Sequence, residues 1–247
     1  MVVTAEAAGA ASTTTTTAKH STTTTTAAKH STTTVPPTTT TTTVAAPSPA
    51  DTWLIKAIGA EEKVGSVRIS GNIKQGKTNI VLNLLVNGDG EGGGTFRQSG
   101  SNIQLKRVGP ILYFNAPKKF WTTDGGKTQA TKYGGKWIEV SALDTRFQSF
   151  DQFLNAGDLV TAVFQGHTTP LTVSKPTTYQ GKKVVIVSDV VVVSGKKSSG
   201  QMYITATGKP YVLKIVDKGP TESGTILFSS YGKAKSISTP PEPINLT

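Results

Sequence analysis

Apolar residues that alternate with polar ones, in short runs joined by turns too brief for a crossover, constrain this chain more than any other feature. Ile80, Leu82, Leu84 and Val86 alternate mainly with Asn79, Asn83 and Asn87, a period of two that buries one face of a strand. The preceding Val67-Arg68-Ile69 extends the pattern, and Asn87-Gly88-Asp89-Gly90 marks the turn that ends it. Further strand candidates follow at 94–98, 102–107 and 111–115, linked by Ser99-Gly100-Ser101 and Gly109-Pro110. Parallel strands need a connection of about a dozen residues, so strands linked this closely pair antiparallel.

Two segments depart from that period. At 51–62, Leu54, Ile55 and Ile58 fall at helical spacing, with Asp51 as the expected N-cap and Trp53 as an anchor. Between 145 and 165, Phe147, Phe150, Phe153, Leu154, Leu159, Val160 and Val163 recur every three or four residues, predicting one or two helices broken near Gly157. Strand patterns return at 171–174, 183–193, 201–207, 211–216 and 225–229. The expected class is α+β: a single curved antiparallel sheet of roughly nine to eleven strands, with helices covering its concave face.

Alternation turns Ile80, Leu82, Leu84, Val86, Ile103, Leu105, Leu112 and Phe114 inward in the first half of the sheet. In the second half it turns Val184, Ile186, Ile204, Leu213, Ile215, Ile226 and Phe228 inward, and Phe150, Phe153 and Leu154 face them from the helices. Each of these is either ordinary core or the wall of an apolar ligand cavity.

Residues 1–49 are of another kind. Between 12 and 43 the chain is almost wholly Thr, Ala, Lys, His and Pro, with the unit Lys-His-Ser-Thr-Thr-Thr at Lys19 and again at Lys29. Nothing there can build a core, so the expected organisation is a disordered Thr/Ala/Pro-rich tail or stalk over 1–49 and one domain over 50–247. Two readings stay open for the tail, an O-glycosylated spacer and an unmodified linker. Met1 to Ala11 resembles the end of a signal peptide without its apolar stretch, which predicts an exported protein, extracellular or in the cell envelope, whose leader is missing or truncated. Of the net +11, Lys19, Lys29 and Glu6 assign +1 to the tail and leave +10 with the domain. Such a surplus favours anionic partners. There is no cysteine, which excludes disulfides, thiol nucleophiles and a lipid-modified N-terminal Cys in this chain.

Several segments, in order, resemble a known family. Val108-Gly109-Pro110-Ile111-Leu112-Tyr113-Phe114, then Phe120-Trp121, then Gly134-Gly135-Lys136-Trp137-Ile138-Glu139-Val140 are similar to stretches of the LolA-like actinobacterial lipoproteins of the LprG and LppX type. Met202 to Ile215, with Gly208-Lys209-Pro210-Tyr211 at its centre, and Thr225 to Gly232 extend the resemblance, which covers most of 53–243. It implies a half-open β-barrel with helices in its concavity, and an apolar cavity that in some members holds acyl chains of lipids or glycolipids. It offers no catalytic residues. Members are usually anchored through a lipid on an N-terminal Cys; this chain lacks one, and the Thr-rich tail would serve as a spacer for a secreted or otherwise tethered form.

Other chemistry fails on context. Gly88-Asp89-Gly90-Glu91-Gly92-Gly93 satisfies the spacing of a dinucleotide-binding loop, yet a strand pattern follows where a helix N-terminus is required. His167 is the one histidine of the domain and sits in a predicted loop with no nucleophile elbow. His20 and His30 lie in the repeats, where metal capture would be incidental. Most acids fall in predicted turns and are assigned to solvent, as are the lysine pairs at 118, 182 and 196. No nucleic-acid motif accompanies the basic charge. The chain is therefore expected to be no enzyme, to carry no cofactor or metal, and to bind no nucleic acid. The expected function is an envelope binding module whose cavity holds acyl chains of a lipid or glycolipid at an anionic membrane or envelope surface. The alternative is a structural or adhesive surface domain on a Thr-rich stalk, without a lipid ligand.

Overall fold

The computed structural model describes residues 46–164, 170–193 and 195–246. The tail over 1–45, with His20 and His30, and the loop holding His167 lie outside the described residues.

The first helix, α1 (Pro49–Glu61), begins slightly earlier than its apolar spacing indicates. Ser48 is its N-cap: the Asp51 amide donates to Ser48 Oγ at 3.2 Å, while the Ser48 amide donates to Asp51 Oδ2 at 3.1 Å. Asp51 is thus the reciprocal partner in a capping box and not the cap itself. Pro49 takes the first helical position, where its missing N–H costs nothing.

Five strands follow as a meander: β1 (Ser66–Gln75), β2 (Thr78–Asn87), β3 (Gly92–Gln98), β4 (Ser101–Val108) and β5 (Ile111–Asn115). Helix α2 (Lys118–Tyr133) leads to β6 (Trp137–Ser141), and a 3-10 turn at Thr145–Phe147 leads into α3 (Gln148–Gln152) and α4 (Ala156–Phe164). The second half adds β7 (Thr172–Val173), β8 (Thr177–Tyr179), β9 (Lys182–Val193), β10 (Lys196–Thr205), β11 (Val212–Lys218), β12 (Glu222–Gly232) and β13 (Ile244–Asn245). All thirteen join one sheet in the order β13-β6-β5-β4-β3-β2-β1-β12-β11-β10-β9-β7, with β8 also on β9. The path has two ends, so the barrel is open. The thirteen strands among the described residues exceed the nine to eleven expected: β7 falls within the strand pattern at 171–174, whereas β8 and β13 are three and two residues long, too short to leave a period, and the sequence pattern does not single out β6 as a strand. Pairing is antiparallel except between β13 and β6, which run parallel.

The two halves meet where β1 pairs with β12, Ile69 opposite Phe228 and Gly71 opposite Ile226. From that seam an apolar row crosses the inner face in both directions. Toward β6 it runs from Leu84 past Gly94 to Leu105, Phe114 and Ile138, with Phe96 in the adjacent row between Leu82 and Ile103; toward β9 the apolar side chains are Ile226, Ile215, Met202 and Val187. All of these apolar side chains are buried in one cluster. Gly94 has φ +151, and a Cβ there would run into the Asn83 carbonyl oxygen, so only glycine fits where β3 crosses β2.

Three residues expected inward lie elsewhere. Register pairs Val185 with Ile204 and Val187 with Met202, so Val185 and Val187 join the core while Val184 and Ile186 take the opposite face. Val184 is buried there, opposite Thr177 of β8, and Ile186 is half-buried. The four apolar residues in a row at 184–187 carry no alternation from which to choose a face. Leu213 is displaced by a β-bulge: Tyr203 pairs with Lys214 but Ile204 with Val212. Val212 therefore enters the core cluster, and Leu213 is buried outside it.

Candidate functional site: the inner face and its helical roof

Short helices roof the inner face in two groups. Over β3–β6, α3 and the 3-10 turn supply Phe147, Phe150 and Phe153, and α2 supplies Trp121 and Tyr133. Phe96 of β3 meets Phe150 and Phe153 with ring centroids 5.5 and 5.1 Å apart. Phe114 of β5 meets Trp121 at 5.7 Å, Phe147 at 4.9 Å and Phe150 at 5.9 Å. Arg107 of β4 secures this group, its guanidinium 3.1 Å from the Asp151 carboxylate of α3. Over the other half, α1 contacts α4, β7 and β9, contributing Ala57 beside Leu159 and Val160 of α4 to the same cluster.

Of the residues expected to line a cavity, Ile80, Leu82, Leu84, Val86, Ile103, Leu105, Leu112, Phe114, Ile204, Ile215, Ile226 and Phe228 lie in this cluster, as do Phe150, Phe153 and Leu154 from the roof. Their present neighbours are the protein's own side chains. Helix α2 leaves no clear mark in the sequence: Thr, Lys and a Gly pair dominate it, and at Gly126 the backbone leaves helical geometry with φ 77 and ψ −174. Two buried polar atoms of α2, Trp121 Nε1 and Gln129 Oε1, have no hydrogen-bond partner among the described residues.

The acids are not all in solvent. Glu61, at the last position of α1, is fully buried. Its Oε1 accepts from the Val212 amide at 2.9 Å and lies 2.7 Å from the Tyr231 hydroxyl, while its Oε2 has no partner among the described residues. Burial pushes this carboxyl from 4.5 up to about 7, against the opposing pull of the two hydrogen bonds. A sequence signal existed: Leu54, Ala57, Ile58 and Glu61 share one face of α1 at helical spacing.

Outside the core, an open hollow of about 630 Å³ is lined by Lys196, Lys197, Lys218, Gly219, Pro220 and Ser223, between the turns that join β9 to β10 and β11 to β12. Three of its six lining residues are lysines. The Gly-rich 88–93 segment is the turn between β2 and β3, with the Glu91 amide on Asp89 Oδ1 at 3.0 Å and Glu91 Oε1 accepting from the Gly109 amide at 3.0 Å. The Gly90 and Glu91 amides close the turn, and the Gly88 amide donates to the Val64 carbonyl oxygen at 2.9 Å. Among the described residues no three His, Cys, Asp or Glu side chains group as a metal site, and no helix is long and apolar enough to cross a membrane.

No protein-family model matches the chain, and no curated protein matches it. Among solved structures it is similar to LprF from Mycobacterium bovis, at 14% identity over 79% of this chain and 99% of that one, with a TM-score of 0.47. It is similar to the lipoprotein LppX of Mycobacterium tuberculosis at 9% identity over 76% and 98%, with a TM-score of 0.46. An uncharacterized conserved protein from Thermus thermophilus follows at 7% identity over 81% and 99%, with a TM-score of 0.41.

Proposed function

We propose that this domain is a lipid-binding module of the cell envelope, whose inner face takes the acyl chains of a lipid or glycolipid when the roof helices move aside. The observation that supports it most is the mismatch between floor and roof. The floor is an apolar face continuous across the whole sheet, whereas the roof consists of separate short helices, one of them interrupted at Gly126. Concave apolar sites with a few polar groups are the usual form of a ligand pocket. The unmatched Trp121 Nε1 and Gln129 Oε1 are one donor and one acceptor for a polar part of such a ligand. The lysine-lined hollow fits anionic headgroups, since each basic residue near an anionic bilayer contributes about 1 kcal/mol. On this proposal the protein is exported, held at an anionic surface by charge, and carries lipid without chemistry on it.

The interlocked rings of Phe96, Phe114, Phe147, Phe150 and Phe153 favour one other function, a self-filled structural or adhesive domain. Native mass spectrometry of the full chain, incubated with acyl lipids after delipidation, separates the two. Retention of one or a few lipids is expected, together with salt-sensitive flotation on anionic vesicles that the Lys196→Gln, Lys197→Gln, Lys218→Gln triple variant weakens. No retained lipid, with flotation indifferent to vesicle charge, would overturn the lipid function.

A further inference from the structure

We infer that Glu61 is a proton-operated latch that holds α1 on the sheet when uncharged and loosens it when charged. Proton counting at the site comes first. The Tyr231 hydroxyl lies 2.7 Å from Glu61 Oε1 and 2.5 Å from the Val212 carbonyl oxygen, yet a phenol carries a single proton to donate. If Glu61 is protonated, its proton goes to the phenol oxygen, the phenol proton goes to the carbonyl, and both contacts are hydrogen bonds. If Glu61 is a carboxylate, one of these oxygen pairs has no proton between its members.

The rest of the site leaves a negative charge without compensation. Among the described residues no cation reaches the carboxylate, Oε2 is buried and unpartnered, and Glu61 is the last residue of α1, where the helix dipole also disfavours an anion. The groups on the elements that meet here are few. Tyr231 of β12 touches Glu61, and Tyr211 stacks on Tyr231 with centroids 4.1 Å apart. Lys209 lies over the far ring at 5.9 Å. Glu62 and Lys63 continue the chain after α1, Asp158 sits in the first turn of α4, and Lys233 follows β12. Burial places the Glu61 carboxyl about where its charge changes near neutrality, and burial, followed by the neighbouring acid, pushes the Tyr231 hydroxyl well above the ordinary phenol range.

The latch is well placed to act on the roof. Val212 and Tyr231 belong to β11 and β12 beside the seam of the sheet, and α1 reaches from there to α4, β7 and β9. Releasing its last turn frees the roof over that half. The use of the latch in admitting an acyl chain rests on the proposed lipid function; the latch itself does not.

Hydrogen exchange of the full chain, read by mass spectrometry over peptides spanning 49–62 between pH 5 and 8 and corrected for intrinsic exchange, is the test. A carboxyl at 4.5 when released and about 7 when docked makes the opening of α1 rise on the order of 50-fold across that range and level off above neutrality. Glu61→Gln, which keeps the shape of the neutral acid, is expected to abolish the rise. Tyr231→Phe removes the hydroxyl through which both protonation states of Glu61 bond to the sheet, so the pH at which the rise levels off should change. If Glu61→Gln does not fold, a Tyr231→Phe plateau at the same pH as in the natural protein overturns the latch. Opening that is independent of pH in the natural protein, or a rise unchanged in these variants, would overturn the latch. Lipid binding plays no part in this readout, so its failure leaves the latch standing, and failure of the latch leaves lipid binding standing.

Discussion

Phe114→Ala removes the keystone of the aromatic roof. The side chain is fully buried in β5, and its ring meets those of Trp121, Phe147 and Phe150 at 5.7, 4.9 and 5.9 Å, joining the floor to α2, the 3-10 turn and α3 at once. Truncating a buried Phe to Ala costs about 3–5 kcal/mol, and aromatic pairs contribute about 0.5–1.5 kcal/mol each beyond burial. Three pairs are lost together, so the upper half of that range, about 4–5 kcal/mol, is expected. In a domain of this size each kcal/mol lowers Tm by roughly 2–4 °C, a total of about 8–20 °C. Urea denaturation at constant m-value, beside a thermal scan, measures it. Phe120, which is only partly buried, is the control and should cost clearly less. A loss at Phe114 under about 1.5 kcal/mol, far below the usual core range, would mean that the ring borders open space, and the account of a roof closed on its own side chains would fail.

Two other perturbations probe the ends of α1. Ser48→Ala breaks the capping box and should cost about 1 kcal/mol, read as a lowered denaturation midpoint with little change in helical circular dichroism. At Glu61 the folded-state carboxyl lies near 7 against 4.5 when free. The native state therefore holds more protons than the unfolded state between those values, and stability falls as pH rises through that window. The contribution present below about 4.5 and lost above 7 amounts to about 3 kcal/mol. Denaturation midpoints at pH 5 and 8 should differ accordingly in the natural protein, after subtraction of the Glu61→Gln difference; equal pH dependence in both would refute the assignment.

What the chain disclosed in advance followed from where its patterns were strict. Ile103 and Leu105 alternate cleanly with Asn102, Gln104 and Lys106, Ile80 to Val86 mainly with Asn79, Asn83 and Asn87, and Leu112 and Phe114 fall at the same period of two; the inward members of each run lie in the core. Phe147, Phe150 and Phe153 repeat every three residues and form the roof. Where a pattern was absent, so was the information. Val184 to Val187 offer apolar side chains to both faces, and the bulge at Leu213 changes phase within a run that looks regular. Helix α2 is held by Trp121, Ala130 and Tyr133 packing on the sheet and not by helix-forming composition. Asn87 reads as a solvent-facing turn residue; it is buried, and its side-chain amide bonds the backbone of Lys235 at 2.7 and 3.0 Å. Only a segment distant in sequence creates that need. Glu61 stands in a Glu-Glu-Lys run that resembles a solvated helix end, and it is the tertiary contact with β11 and β12 that makes it an interior acid.

The seam between β1 and β12 has a consequence for the order in which the molecule is made. Gln75 and its partner Glu222 are 147 residues apart, so the free edge of β1 must wait for nearly the whole domain to be synthesised. At about 5–20 residues per second this interval lasts roughly 7–30 s. Throughout it the meander from β1 to β6 presents a long, hydrogen-bonding edge with apolar side chains behind it, the kind of surface that templates intermolecular pairing. Lys74 and Lys77 flank the β1–β2 turn at one end of that edge, and charge of this sort discourages premature strand addition. A nascent chain arrested before 222 is accordingly the form of this protein most in need of a chaperone.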